Sequence, residues 1–201
     1  MEPDPVVSRE PVAADARRAA DDTSLVEQAL AGDRDAFGVL VERHQDRLFN
    51  ALWRLLGCAE DARDAVQEAF VQAFMKLGGF RGDSQFATWL YRIGVNQALA
   101  AHRRRRATAS LERARAESGF EPADGASGPS HQAAQREEVA RVQQALQELD
   151  EAHRCVLVLR EIEGHSYESI AEILAVPLGT VRSRIFRARL QLRDHLAAAS
   201  D

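Results

Sequence analysis

The stretch GHSYESIAEILAVPLGTVRSRIFRARLQL, residues Gly164 to Leu192, contains two helical patterns separated by a short turn. Ser166 can cap the first helix, because its hydroxyl can accept a hydrogen bond from a backbone amide of the first turn. The apolar positions of that helix are Ile170, Ala171, Ile173 and Leu174. Pro177 and Gly179 then interrupt the pattern, and proline suits the first turn of a new helix. The stretch therefore predicts a helix-turn-helix unit.

The second helix of this unit has an apolar face and a basic face. Its apolar residues repeat every three or four positions and so share one side: Val181, Ile185, Ala188 and Leu192. The residues that point outward or flank that face are Arg182, Ser183, Arg184, Arg187 and Arg189. Guanidinium groups donate paired hydrogen bonds to phosphates and to guanine edges in the major groove. The unit indicates sequence-specific DNA binding, although an amphipathic surface helix with solvated arginines shares the same periodicity.

The composition allows two small cores but does not by itself indicate a nucleic-acid-binding protein. The chain has 201 residues, 45% of them hydrophobic, and a formal net charge of -5. Basic residues are nevertheless concentrated in residues 102–106 and 182–193, and the local field matters more than the total charge. Lys76 is the only lysine, so the remaining strongly basic side chains are arginines.

The cysteines and histidines form no pattern typical of a metal or disulfide site. Cys58 and Cys155 stand far apart, and the six histidines include no H-E-x-x-H pair. We therefore expect no metal, no cofactor and a reducing environment. No apolar run approaches the roughly 20 residues that cross a bilayer, and residues 1–18 lack the hydrophobic centre of a signal peptide. These features predict a soluble, cytoplasmic protein without membrane insertion.

The rest of the chain divides into a tail, two helical modules and a linker. Residues 1–22 are rich in Pro, Ala, Asp and Arg without sustained periodicity, which predicts a disordered tail. Residues 107–134 are rich in Ala, Ser, Gly, Pro and Glu, which predicts a flexible linker. Residues 23–106 and 135–197 carry helical patterns without a convincing alternating strand. The predicted fold is all-α, with two small helical domains joined by the linker.

Two parts of the first module have a distinctive surface chemistry. The helix that continues from Ala62 has an acidic, exposed side that includes Asp61, Asp64, Gln67 and Glu68. Further along, aromatic and basic residues are interleaved: Arg81, Phe86, Trp89, Tyr91, Arg92 and residues 103–106. Single-strand sites combine rings on which bases stack with guanidinium groups that meet phosphates. Aromatic residues are also frequent in helical cores, so composition leaves both interpretations open.

Three segments resemble the extracytoplasmic function sigma factors of bacterial RNA polymerase. DARDAVQEAFVQAF, residues 61–74, resembles the core-binding helix of that family, and FRGDSQFATWLYRIGVNQAL, residues 80–99, resembles its promoter-melting and minus-ten segment. HRCVLVLREIEGHSYESIAEILAVPLGTVRSRIFRARLQLR, residues 153–193, resembles its minus-thirty-five domain. The resemblance implies a promoter-specificity subunit without catalytic residues, with sigma region 2 in residues 23–106 and sigma region 4 in residues 135–197. The implied partners are core RNA polymerase, through its largest-subunit clamp helices and β flap, promoter DNA and an anti-sigma factor.

The resemblance also assigns candidate contact residues. Core polymerase would be contacted by Asp61, Asp64, Gln67 and Glu68. The minus-ten element would be contacted by Ser84, Phe86, Thr88, Trp89, Arg92 and Asn96. The minus-thirty-five element would be contacted by Thr180, Arg182, Ser183, Arg184, Phe186, Arg187 and Arg189. Many relatives carry polar or acidic residues at the positions of Ala100 and Ala101, so we expect an unusual minus-ten preference.

Two alternatives to a sigma factor are a one-component transcriptional regulator and an enzyme that acts on nucleic acid. A one-component transcriptional regulator would use the helix-turn-helix to bind duplex operator, typically as a symmetric dimer. An enzyme acting on nucleic acid would need a pair of carboxylates, a phosphate-binding glycine loop or a nucleophile with its base, and the sequence shows none of these patterns. The motifs of the first module favour the sigma factor over the regulator.

Overall fold

All the regular elements that the computed structural model describes, in residues 19–113 and 131–198, are helical. The all-α prediction is therefore confirmed for these two parts of the chain. The helices form an N-terminal bundle, which ends at Arg113, and a C-terminal bundle, which begins at His131. Among the described helices, none combines the length and the apolar character that a membrane crossing requires.

The N-terminal bundle consists of α1 (Asp22–Leu30), α2 (Arg34–Leu56), α3 (Ala59–Lys76), a 3-10 turn (Leu77–Gly79) and α4 (Phe86–Arg113). Side-chain caps begin the first two helices: Asp21 accepts a hydrogen bond from the Ser24 amide at 2.8 Å, and Asp33 caps α2. Gly57 ends α2 with a positive φ of 76°, which residues with a Cβ rarely adopt. Fully buried leucines fill the centre of the bundle: Leu25, Leu40, Leu48, Leu52 and Leu90.

The C-terminal bundle consists of α5 (His131–Glu148), α6 (Glu151–Leu157), a single π turn (Val158–Ile162), α7 (Tyr167–Leu174) and α8 (Leu178–Ala198). The Ser166 hydroxyl accepts a hydrogen bond from the Ser169 amide at 3.1 Å, so the predicted cap of α7 is confirmed. Ala175 adopts a left-handed φ of 52° at the turn before α8. Three of the predicted apolar residues of α8 are buried: Val181, Ile185 and Ala188. The helix-turn-helix prediction is therefore confirmed.

The first helix begins inside the segment that was predicted as a tail. Residues 1–18 lie outside the described residues, but Asp22 belongs to α1. Its carboxylate pairs with Arg43 and with Nε2 of His44, the latter at 2.7 Å. These contacts attach the start of α1 to α2, and α1 begins at the last residue of the segment that was predicted as a tail.

The helices also extend into both ends of the predicted linker. α4 continues to Arg113 and α5 begins at His131, whereas the linker was placed at residues 107–134. Residues 114–130 lie outside the described residues. Alanine and glutamate, two of the residue types on which the linker prediction was based, are also good helix formers, which accounts for helix at the two ends of the segment.

The two bundles pack against each other, and their buried apolar residues form one continuous cluster. α4 lies against α7, and α2 lies against α5 and the π turn. At the C-terminal end of α2, Gln147 donates a hydrogen bond to the Arg54 carbonyl at 2.9 Å, and Arg154 donates to the Leu55 carbonyl at 2.6 Å. The last carbonyls of a helix have no partner within it and attract positive charge. The C-terminal bundle therefore caps a helix of the N-terminal bundle.

Candidate nucleic-acid and polymerase surfaces

The outer face of α8 presents an exposed row of polar and aromatic side chains. Arg182, Ser183 and Arg187 are exposed, and Phe186 exposes 66% of its surface. Thr180 and Arg184 are half-buried at the edges of this row, and the Ser183 hydroxyl donates to the Thr180 carbonyl at 3.1 Å. Because the opposite face is anchored in the bundle core, the row is held outward and can enter the major groove of a duplex.

Arg189, at the end of this row, is already engaged in an ion pair. Its Nη2 and Nε atoms lie 2.6 and 3.1 Å from Oε1 of Glu161. The hydrogen bond to Glu161 raises the pKa of Arg189 above its ordinary value, so the guanidinium remains fully charged. Glu161 fixes the direction of this side chain and offsets part of its charge. A phosphate would therefore have to compete with Glu161 for Arg189, which makes Arg189 a weaker contact than Arg187.

A cavity of about 530 Å³ opens beside α4. Its lining consists of Lys76, Gly79, Trp89, Arg92, Ile93, Asn96 and Gln97. Trp89 is half-buried, and its ring packs against Phe80 and Phe86 with centroids 5.2 and 5.9 Å apart. Arg92 and Asn96 are exposed one turn apart on the same helix. A supported aromatic ring beside a guanidinium and an amide can accept an unpaired base and its phosphate.

The structure separates the six predicted minus-ten residues into three kinds. Trp89, Arg92 and Asn96 line the cavity together. Phe86 and Thr88 are only 3% and 4% exposed, so they belong to the core and cannot meet a base directly in this conformation. Ser84 lies half-buried in the loop before α4 and does not line the cavity. Helical spacing places Phe86 and Thr88 on the inner side of α4, which composition alone did not reveal.

The cavity also contains a residue that sequence reasoning missed. Lys76 stands at the end of α3 and lines the α4 cavity, just before the glycine-containing 3-10 turn. Lys76 is the only lysine of the sequence, but only the tertiary structure shows that it lines the same cavity as Arg92 and Asn96. Ala100 and Ala101 do not line this cavity, so their departure from the family pattern does not alter its wall.

The acidic side of α3 is exposed, as its helical pattern predicted. Asp64, Gln67 and Glu68 are exposed, whereas Asp61 is half-buried. Arg105 of α4 pairs with Asp61 and lies 3.9 Å from Oδ2 of Asp64. Between the two helices is a cleft of about 400 Å³ that Ala100 and Ala101 help to line. The surface continues along α3 with three exposed apolar side chains: Val71, Phe74 and Met75.

Comparisons with known proteins match both bundles. The family models for Sigma-70 region 2 and Sigma-70 region 4 match residues 40–108 and 140–192. The RNA polymerase sigma-H factor of Pseudomonas aeruginosa is 43% identical over 173 residues, covering 84% of this chain and 90% of that protein. The ECF RNA polymerase sigma-E factor of Escherichia coli K12 is 42% identical over 174 residues, with the same two coverages. This chain is an extracytoplasmic function sigma factor.

A solved structure gives the same assignment for the sigma factor. The structure of CnrH in complex with the cytosolic domain of CnrY aligns with a TM-score of 0.67 and 34% identity, covering 88% of this chain and 97% of CnrH. The region 2 match includes the acidic side of α3 and the α4 cavity, and the region 4 match includes the outer face of α8. The alternative of a one-component regulator is thereby excluded.

Membership of the sigma factor family also answers whether the chain is a catalyst. Sigma factors are transcription initiation factors, so the prediction that the chain is not a catalyst is confirmed. Within residues 19–113 and 131–198, no three metal-ligating side chains gather in one place. Cys155 is buried, and this burial raises the pKa of its thiol to about 12, whereas Cys58 is exposed at the start of α3. The buried thiol is therefore unreactive at neutral pH.

Proposed function

We propose that the sigma factor joins core RNA polymerase and directs it to promoters that contain a minus-ten and a minus-thirty-five element. The observation that carries this proposal is the presence of two different DNA-facing surfaces, one on each bundle. The outer face of α8 is convex and basic, which suits the major groove of a duplex. The α4 cavity is concave and contains an aromatic ring, which suits a base that has left the duplex. A protein that only binds duplex DNA does not need the second surface.

On α8, we assign base-edge contacts to the fully exposed residues and phosphate contacts to the residues around them. Arg187 and Arg182 are exposed and can make bidentate hydrogen bonds to guanine, and Phe186 can meet a thymine methyl group. Ser183 and Thr180 can donate to phosphates or bases at the start of the helix. Arg184 is half-buried and Arg189 is held by Glu161, so we assign both to phosphate contacts.

In the α4 cavity, we assign one role to each of three residues. Trp89 stacks on the extruded base, because Phe80 and Phe86 support its ring from behind. Asn96 hydrogen-bonds to the base edge, since its amide offers both a donor and an acceptor. Arg92, together with Lys76, neutralises the phosphates of the separated strand. Phe86 and Thr88 are left out of the contact set because they are buried.

The acidic side of α3 is our proposed docking surface for the clamp helices of the largest polymerase subunit. Asp64, Gln67 and Glu68 form its polar part, and Val71 and Met75 supply exposed apolar area beside it. Interfaces commonly combine an apolar centre with a polar rim in this way. We also propose, from family membership, that region 4 contacts the β flap, that an anti-sigma factor binds this chain and that it acts in the cytoplasm. Support for a protein partner comes from CnrH, which was solved with the cytosolic domain of CnrY bound.

The proposal is tested by measuring promoter binding with and without core polymerase. We expect tight binding to a promoter fragment, with separated strands around the minus-ten element, only when core is present. Permanganate reactivity of unpaired thymines reports strand separation directly. Equally tight binding of the isolated chain to closed duplex, with no effect of core, would show that the protein works as an ordinary duplex-binding regulator.

A further inference from the structure

A series of packed side chains connects the α4 cavity with the first helix. The ring of Trp89 packs against the ring of Phe86, with centroids 5.9 Å apart. The Phe86 ring also meets the imidazole of His44 in α2, with centroids 5.5 Å apart. Nε2 of His44 in turn lies 2.7 Å from Oδ2 of Asp22 in α1. We call Asp22, His44 and Phe86 the Trp89 support.

His44 is a polar side chain inside an apolar core. It is 8% exposed, and its imidazole needs a hydrogen-bond partner there, because a buried polar group without a partner costs free energy. Asp22 supplies that partner, and Nε2 carries the hydrogen, since an ionised carboxylate only accepts hydrogen bonds. This bond fixes the rotation of the imidazole ring, which a leucine at the same position could not achieve.

Asp22 is itself held in place by a second contact. Its carboxylate also pairs with Arg43, whose Nη2 donates a hydrogen bond to the Ala20 carbonyl at 2.9 Å. α1 packs against α2, the 3-10 turn and α4. Gly79 of that turn and several residues of α4 line the cavity. The first helix therefore packs against the elements that form the α4 cavity.

The support residues do not touch the space that a base would occupy. All three belong to the described part of the chain, and none of them lines the α4 cavity, whereas the half-buried Trp89 does. A side chain that is ordered before binding loses less conformational entropy when its partner arrives. Ring contacts that fix Trp89 in advance therefore strengthen stacking without any contact to DNA.

We propose that His44 is a positioning residue for the α4 cavity. Anchored by Asp22, it supports Phe86, and Phe86 holds the Trp89 ring in the orientation that stacks on an unpaired base. This inference rests on the proposed function of the cavity and deepens it. It gives α1 a part in single-strand recognition, although no residue of α1 lines the cavity.

Fluorine NMR of the full chain, labelled with 5-fluorotryptophan, reports on the Trp89 ring without DNA. The chain has two tryptophans, and a Trp53→Phe sample assigns the two resonances. His44→Gln keeps an amide donor for Asp22 but removes the ring, whereas His44→Phe keeps a ring but removes the donor. We expect the Trp89 resonance to shift or broaden most in His44→Gln and less in His44→Phe, while the Trp53 resonance stays unchanged.

The order of these two variants separates positioning from simple attachment of α1. If the bond to Asp22 only attached α1 to α2, His44→Gln would resemble the parent more than His44→Phe does, and the proposal would be overturned. A Trp89 resonance that is unchanged in both variants would overturn it as well. Asp22→Asn is the milder variant, since it keeps the shape of the side chain and one oxygen acceptor, and it should give a smaller change of the same kind. Circular dichroism of each variant checks that the helices persist.

A matched control lies in the C-terminal bundle. Nδ1 of His153 is 2.7 Å from Oδ2 of Asp150, and the His153 side chain is 13% exposed, against 11% for His44. His153→Gln therefore makes the same chemical change in a pair of the same length and similar histidine burial. It should leave the Trp89 resonance unchanged. A shift equal to that of His44→Gln would show that the resonance responds to any loss of stability, and the positioning role would be overturned.

Binding of single-stranded DNA to the holoenzyme then tests the consequence for recognition. The probe is a single strand that carries the minus-ten element of a promoter mapped with this sigma factor, and fluorescence anisotropy measures its affinity. His44→Gln should weaken binding roughly fivefold, which is part of the contribution of one stacked base. Added to Trp89→Ala, it should cause no further loss, because it acts through the Trp89 ring.

The possible failures of this experiment are distinguishable. A further loss of the same size in the double variant, or an unchanged affinity in His44→Gln where Trp89→Ala weakens binding, would overturn the positioning role. If Trp89→Ala itself leaves the affinity unchanged, the proposed function of the cavity is contradicted. The fluorine spectra would then still decide whether the Trp89 support orders the ring.

Discussion

The outer face of α8 and the α4 cavity are both expected to meet DNA, yet they are built in opposite ways. The α8 residues project from one regular helix, whereas the α4 cavity needs the end of α3, a 3-10 turn and two supporting phenylalanines. One surface is complete in a single element, and the other exists only after tertiary packing. Changes to α8 should therefore affect DNA contacts alone, while changes near the cavity also act through packing.

The largest effect should come from Arg187→Ala, because Arg187 is exposed and its removal disturbs no buried group. Losing one bidentate contact is worth about 1–3 kcal/mol, so initiation from promoters with a minus-thirty-five element should fall roughly tenfold to a hundredfold. Transcription titrations measure this loss. Arg193→Ala, an exposed arginine outside the predicted contacts, serves as the matched control. A parallel loss of core polymerase binding would show that α8 has another role.

The Asp64→Arg substitution should impair binding to core polymerase while leaving both DNA-facing surfaces intact. The side chain is exposed, so charge reversal should leave the helix content unchanged. It should weaken core association by roughly tenfold, as expected when an interfacial charge meets its own sign. Quantitative pull-down with purified core measures the change, with Glu27→Arg on α1, an exposed carboxylate away from this surface, as a control. Unchanged core affinity would remove the acidic side of α3 from the polymerase interface.

Arg92→Ala tests the α4 cavity with little disturbance of packing. Its guanidinium is exposed at the cavity, so its loss should weaken binding to single-stranded minus-ten DNA several-fold. The slope of log affinity against log salt should also fall by about one phosphate contact. Fluorescence anisotropy at several salt concentrations measures both, and Arg63→Ala on α3 is the control. An unchanged slope would mean that Arg92 does not contact a DNA phosphate at this cavity.

The smallest effect should come from pH and should appear only at the junction of the bundles. Burial, and then the charge of Arg47, lowers the pKa of His165 in the structure, where the two bundles are packed against each other. Its Nε2 is buried and has no hydrogen-bond partner among the described residues, and Tyr91, Arg160 and Glu163 lie around it. Protonation is therefore easier once the bundles separate, where the pKa returns toward about 6.5.

The packing of the two bundles should accordingly be fully stable above that value and lose stability as the pH falls below it. Between pH 7.5 and pH 5.5, the distance between a spin label on the exposed Cys58 and one on an introduced Arg193→Cys, measured by pulsed electron paramagnetic resonance, should shift toward longer values. His165→Asn should remove this part of the pH dependence, while the other histidines continue to titrate. A rise of equal size in His165→Asn would assign the response to another group.

Local sequence patterns predicted the features that depend on one helix alone, such as its cap and its buried face. Ser166 as a cap and Val181, Ile185 and Ala188 as a buried face follow from helical spacing alone, and the structure confirms them. The exposed acidic side of α3 follows in the same way. Patterns failed where burial depends on neighbouring helices: Phe86 and Thr88 have the residue types of a nucleic-acid site, but α4 turns them inward.

Contacts between distant residues left no signal that could be read in the sequence. Tyr91 and Glu163 are 72 positions apart, and Arg154 reaches the Leu55 carbonyl across 99 positions. Neither pair has a spacing that a helix or strand would impose. Lys76 shares the α4 cavity with Arg92 and Asn96 only because the chain turns back after α3, so that α4 lies beside the end of α3. The sequence therefore predicted where the surfaces lie along the chain, whereas their positions relative to one another could be seen only in the structure.

The most direct test of this account is to map transcript starts on fragmented DNA of the source organism, using purified core polymerase with and without the sigma factor. We predict new starts that share two upstream motifs. Arg187→Ala should impair recognition of the distal motif, and Arg92→Ala should impair opening at the proximal one. No new starts, together with tight binding of the isolated chain to a duplex palindrome, would contradict the account.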